Sequence, residues 1–201
     1  MSVPLYTWHQ NNSTVVIKFD VPAAVTKQDI LSEITGSSIK FGVKGFAPHL
    51  DGQLANAIKG SRWTLKEDVG QIQILLDKST QSIPWNNLIT SFSSSSPFVS
   101  RARVMYEYSA TNEEELSLLP YEVIGIFASD DSGWLEGERL GVKGAIPSNF
   151  VEIFQNDYQP LEDVEASAEF AKTEDNKPGK NNNESIKHHH HHHHHCYSLE
   201  F

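Results

Sequence analysis

Tyr106, Tyr108, Trp134, Pro147 and Phe150 fall within residues 101–154, and the acidic run Glu113, Glu114 and Glu115 lies among them. Gathered on one surface, these residues make an exposed apolar shelf with a carboxylate rim. That chemistry suits a ligand that is stiff, apolar and cationic at one end. A proline-rich segment carrying Arg or Lys is such a ligand, because its polyproline II backbone is already extended before it docks. Tyr106 and Tyr108 are two apart and share a strand face, with rings for proline and hydroxyls for peptide carbonyls. Trp134 follows Asp130-Asp131-Ser132-Gly133, loop chemistry in which an indole is hard to bury. Glu115 first and Glu113 second are expected to take the ligand cation in a paired hydrogen-bonded geometry that also fixes ligand direction. Asn149 is either a donor to the peptide backbone or a turn residue. None of the nine prolines forms a Pro-x-x-Pro motif, so the expected ligand is a proline-rich protein in trans. A shallow groove with few anchors implies micromolar affinity.

Other chemistries find little to stand on. Outside the tract His188–His195 the only histidines are His9 and His49, and the single cysteine is Cys196. No P-loop, dinucleotide fingerprint or nucleophile elbow is present, so an enzyme is not expected, and neither is a cofactor. Clustered imidazoles bind nickel or zinc in vitro, but no second ligand set at fixed spacing marks a metal site. The tract reads as a natural homopolymer or a purification tag, and Cys196–Phe201 beyond it favour the natural reading.

The formal charge is −10, unevenly spread. Residues 1–90 carry 8 basic and 7 acidic side chains, residues 101–154 carry 4 and 10, and residues 155–201 carry 4 and 9. An acidic chain without a basic stripe argues against nucleic acid, and acidity over 101–154 favours cationic peptides. No basic-then-apolar leader opens the sequence, and no apolar run nears the roughly 18 residues of a membrane span. The expected compartment is the cytoplasm, with no membrane partner.

Elements that alternate with period two must position these groups. Val15, Ile17, Phe19 and Val21 alternate with Val16, Lys18 and Asp20. Ile39, Phe41 and Val43 do the same, as does Gln71–Asp77. Tyr6–Gln10 and Arg62–Leu65 are short aromatic strands. Ile30–Ile34 is ambiguous, and Leu50–Leu54 reads as a turn into a strand. No long helix is predicted before Pro84. Short strands at near-regular spacing predict an all-β chain whose first part is an antiparallel β-sandwich. Trp8, Trp63 and Trp85 are expected to pack there in the core or at its edge. The predicted layout is a sandwich over 1–90, a Ser-rich linker over 91–100, a small β-barrel over 101–154 and a disordered acidic, Asn- and His-rich tail over 155–201. The linker should let the two modules tumble partly independently.

Two resemblances sharpen this layout. Val104-Met105-Tyr106-Glu107-Tyr108, Glu114-Glu115-Leu116-Ser117-Leu118, Trp134 and Gly144-Ala145-Ile146-Pro147-Ser148-Asn149-Phe150-Val151 stand in the order of a Src-homology-3 (SH3) domain. The resemblance implies an SH3-like β-barrel with a groove for proline-rich peptides. Phe150 replaces the usual Tyr, which keeps the ring contact and loses one ligand hydrogen bond. Leu135 stands where a second aromatic is common, and Ala145 replaces a larger residue. Tyr6–Gln10, Val15–Pro22, Ile39–Gly45, Leu50–Leu54, Trp63–Leu65 and Ile72–Lys78 followed by Trp85 resemble a CS domain of the nuclear-distribution C (NudC) type over residues 3–89. This second resemblance implies a non-catalytic sandwich and a co-chaperone role toward client proteins, with links to heat-shock protein 90 and dynein-related machinery. The helical extension through which many relatives pair is lacking, so a monomer is expected. The functional expectation is a non-catalytic adaptor or co-chaperone, with a cytoskeletal or signalling scaffold without chaperone activity as the alternative.

Overall fold

The computed structural model describes residues 5–92, 96–155 and 196–200. Strands β1 (Thr7–Gln10), β2 (Thr14–Asp20), β3 (Ile30–Ile34), β4 (Ser38–Val43), β5 (Leu50–Leu54), β6 (Ile58–Lys66), β7 (Gln71–Lys78) and β8 (Ile89–Phe92) come first. Strands β9 (Ser100–Val104), β10 (Val123–Ser129), β11 (Trp134–Arg139), β12 (Val142–Pro147) and β13 (Val151–Gln155) follow, and β14 (Cys196–Glu200) lies near the carboxy terminus. The only helical turns among the described residues are 3-10 turns at Lys27–Asp29 and Ser148–Phe150. The chain is all-β.

Two sheets, β1-β2-β7-β6-β14 and β3-β4-β5-β8, form the first unit. Their facing sides follow from alternation. Val15, Ile17 and Phe19 pair across to Leu76, Ile74 and Ile72, and all six are buried together. Ile39, Phe41 and Val43 supply the opposing layer. Each such side chain contributes about 1.5–3 kcal/mol by leaving water. Trp8 and Trp85 are buried and Trp63 packs on the core edge, as their aromatic character predicts. Ile30–Ile34 is a strand, because Ile30 and Ile34 both reach the core. Leu50–Leu54 is itself a strand rather than a turn, held between β4 and β8.

Lys78 is fully buried in this unit. Its Nζ donates to Gln10 Oε1 at 2.9 Å and to the Ile83 carbonyl at 3.0 Å. Gln10 Oε1 also accepts from the Trp85 N–H at 2.8 Å, while Gln10 Nε2 donates to the Trp85 carbonyl at 2.9 Å. One amide thus ties the end of β1 to the end of β7 and to the segment that leads into β8.

The second unit is the five-stranded sheet β12-β11-β10-β9-β13. Its own core comprises Ala102, Val104, Leu116, Leu118, Ile124, Ile126, Leu135 and Ile146. The two units are joined by more than a linker, contrary to the expected partial independence. The loop after β4 inserts against β9, β10 and the β11–β12 turn. The Ala47 N–H donates to the Val123 carbonyl at 3.1 Å, and the Leu140 N–H donates to the Gly45 carbonyl at 2.8 Å. Arg101 Nη1 donates to the carbonyls of Pro48 and His49, each at 2.7 Å. Phe46 packs against both cores and lies 5.6 Å under the Arg139 guanidinium, and Val123 belongs to the first core rather than the second. Gly45 has φ +86°, and a Cβ there would stand 2.7 Å from Leu140 Cδ2.

The expected linker is also shorter than predicted, since β8 runs to Phe92 and Phe98 packs against the first core. Disorder over 155–201 needs a correction at both ends. Gln155 belongs to β13, and Cys196–Glu200 form β14, a strand along β6. Residues 156–195, the His tract included, lie outside the described residues.

Candidate peptide-binding groove

The acidic loop between β9 and β10 folds back on itself through the Tyr108–Leu118 bridge, with N–H to carbonyl distances of 3.0 and 2.8 Å. It then lies along β12: the Ala145 N–H donates to the Glu114 carbonyl at 2.8 Å, and the Leu116 N–H donates to the Ala145 carbonyl at 3.0 Å. Gly144 permits this approach, since a Cβ there would meet the Leu116 side chain at 2.9 Å and the Glu114 carbonyl at 3.0 Å. On the other side, the Ser148 N–H donates to the Gly133 carbonyl at 2.9 Å and ties the 3-10 turn to the loop before Trp134.

These constraints bring four rings into a row. Tyr106 and Phe150 lie 6.2 Å apart, Phe150 and Tyr108 5.1 Å, and Tyr108 and Trp134 6.4 Å, all edge-to-face. Tyr106 is 61% exposed and Trp134 37%. Asn149 is exposed at the centre of the Ser148–Phe150 turn. Pro147 departs from the exposed shelf expected of it. It is buried in β12, with its Cα opposite that of Trp134.

The acidic rim is arranged differently from expectation. Glu115 Oε1 accepts from Tyr108 Oη at 2.7 Å and from the Thr111 N–H and hydroxyl at 2.8 Å each, and Oε2 accepts from Asn112 Nδ2 at 3.3 Å. The Thr111 N–H, followed by the Tyr108 hydroxyl, holds this carboxyl below its usual range. Glu115, ranked first for the ligand cation, is thus the internal brace of its own loop. Tyr108 donates to it, and that hydrogen bond raises the phenol pKa. The Tyr108 hydroxyl proton is therefore not offered to a peptide carbonyl. Glu113 is exposed and, among the described residues, makes no hydrogen bond or ion pair within the fold.

Three other carboxylates flank the indole. Glu114, Asp130 and Glu136 line a cleft of about 560 Å³ together with Trp134, Leu135 and Ala145. Ser132 donates to Asp130 through its hydroxyl and through its N–H, the latter at 2.8 Å, and lowers the Asp130 pKa. Glu136 was missed in the sequence reading although a signal existed. It lies two residues after Trp134 in one strand, and alternation places both on the same face. No group of metal-ligating side chains occurs among the described residues.

A row of rings, exposed at Tyr106 and Trp134 and half-buried at Tyr108 and Phe150, lies beside an acidic cleft on a five-stranded sheet and defines a small interaction module, attached here to a β-sandwich. Comparison with known families finds both modules: the CS domain matches 4–78 and the variant SH3 domain matches 104–152. The chain thus carries a CS-domain match followed by a variant SH3-domain match, over those residues. Both are interaction modules. Endophilin-B1 of Bos taurus is 51% identical over 55 residues, covering 26% of this chain and 15% of that protein. Protein BOBBER 1 of Arabidopsis thaliana is 35% identical over 82 residues, covering 40% of this chain and 27% of that protein. The chain thus spans only a small part of the length of these curated relatives. Among solved structures, the carboxy-terminal SH3 domain of myosin IB from Entamoeba histolytica shares 36% identity, with a TM-score of 0.27, over 29% of this chain and 98% of that one.

Proposed function

We propose that the protein is a non-catalytic adaptor whose SH3 groove docks proline-rich segments bearing Arg or Lys. The contiguous row Tyr106–Phe150–Tyr108–Trp134 carries this reading, since aromatic-lined grooves dock the preformed polyproline II helix. The ligand cation is assigned to Glu114 and Glu136, with Asp130 beside them, and Glu113 is a secondary contact at the loop tip. Asn149 donates to the peptide backbone. The CS domain is assigned a co-chaperone role of the NudC type toward client proteins in the cytoplasm, a reading that rests on the family resemblance. The two roles are tested separately. Pull-down with the intact protein beside Trp134→Ala should lose proline-rich partners and retain clients. Equal recovery of proline-rich partners by both would reject the groove. Suppression of aggregation of a model client by the intact protein should survive Trp134→Ala. No suppression at several-fold molar excess would reject the co-chaperone role.

A further inference from the structure

Strand β6 spans nine residues and borders β7 on one side. Without a neighbour on its other side it would be a long sheet edge, and folded β-proteins protect such edges with charge, proline or cover. Its centre, Gly60–Thr64, contains no proline and one charge, Arg62, whose guanidinium reaches Asp77 at 3.7 Å. Protection therefore comes from cover. Strand β14 pairs antiparallel with this same stretch, from Cys196 opposite Thr64 to Glu200 opposite Gly60, with Tyr197 opposite Trp63. Forty residues of sequence, 156–195, lie between β14 and β13, the nearest preceding strand among the described residues. This cover is thus a five-residue segment far in sequence from the strand it protects.

We propose that the β6 edge is a strand-addition site whose resident occupant is the chain's own segment Cys196–Glu200, and that release of this segment opens the edge to an extended segment of like sequence in trans. Backbone hydrogen bonds supply the affinity in this mode, and alternate side chains supply selectivity. Because β14 belongs to the same chain as β6, its pairing is intramolecular and has the advantage over a segment that must arrive in trans.

Cys196 is the only cysteine, and Cα atoms of directly opposed antiparallel residues lie about 4.5–5.5 Å apart, within disulfide range. Thr64→Cys in the full chain should therefore oxidise to an intramolecular disulfide with Cys196, while Lys143→Cys should not. The probe is a fluorescent peptide of residues 195–201 with Ser in place of Cys196, followed by anisotropy. It should bind Ser198→Pro/Leu199→Pro at least tenfold more tightly than the wild-type chain, and it should not bind the locked disulfide form. Adjacent prolines remove a ladder donor whichever residue faces β6. Cross-linking no greater than in the Lys143→Cys control, a disulfide-linked dimer as the main product, or peptide binding unchanged by the proline pair would each overturn the proposal.

Discussion

Two buried polar side chains set the chemistry of the sandwich at the residue scale. Lys78 is buried with its ammonium donating to Gln10 Oε1 and to the Ile83 carbonyl. Gln10→Leu removes the first acceptor and also the amide bonds to Trp85, and should destabilise the fold by about 2–3 kcal/mol in urea unfolding. His49 stacks on Phe19 at 4.0 Å and is buried. Desolvation, and then the Arg101 charge, push its pKa down to about 3. The unfolded chain takes up a proton near pH 6.5 and the folded chain does not. Stability should therefore fall as pH drops from about 6.5 toward about 3, by up to about 1.4 kcal/mol per pH unit from this residue. Replacing it with Phe should flatten that slope in denaturant titrations across the window. In the groove, Glu114→Gln and Glu136→Gln should each weaken an Arg-bearing peptide about threefold to tenfold and leave an Arg-free peptide unaffected. Glu115→Gln should instead lower the melting temperature, because the loop loses its brace.

The elements that could be read from sequence are those whose burial obeys a period. Strands β2, β4 and β7 announce themselves because Val15-Ile17-Phe19, Ile39-Phe41-Val43 and Ile72-Ile74-Leu76 alternate with polar or outward residues. Strand β8 has no such pattern in Ile89-Thr90-Ser91-Phe92, and it borders the Ser-rich stretch that hides it. The ring row was legible because aromatics and glycines occur in a specific order. The role of Glu115 was not, since it depends on a turn that returns the Thr111 N–H to the carboxylate. The acidic loop sits on β12 only because residue 144 lacks a side chain. Gly144→Val should lift Glu114 from its place beside Trp134 and reduce affinity for Arg-bearing peptides at least fivefold, as read by titration calorimetry.

At the scale of the whole molecule, the insertion of Phe46 between two cores and the clasp of Arg101 on Pro48 and His49 make the CS and SH3 domains one body. No sequence pattern marks this seam, which depends on ordinary residues meeting across distant segments. Gly45→Ala strains a left-handed position by about 1–2 kcal/mol and drives a methyl into Leu140. The wild-type chain should unfold in a single transition, and this variant should split it into two by calorimetry. Because the seam engages the β11–β12 turn and the ring row lies by the acidic loop, the groove stays open while the domains are locked. Its occupancy is the central claim, and peptide titration into the wild-type chain and Trp134→Ala tests it most directly. A proline-rich peptide with one Arg should bind the wild type with micromolar Kd, weaken on loss of that Arg, and weaken at least tenfold on loss of the indole. Equal affinity of the two proteins for the Arg-bearing peptide would contradict the account.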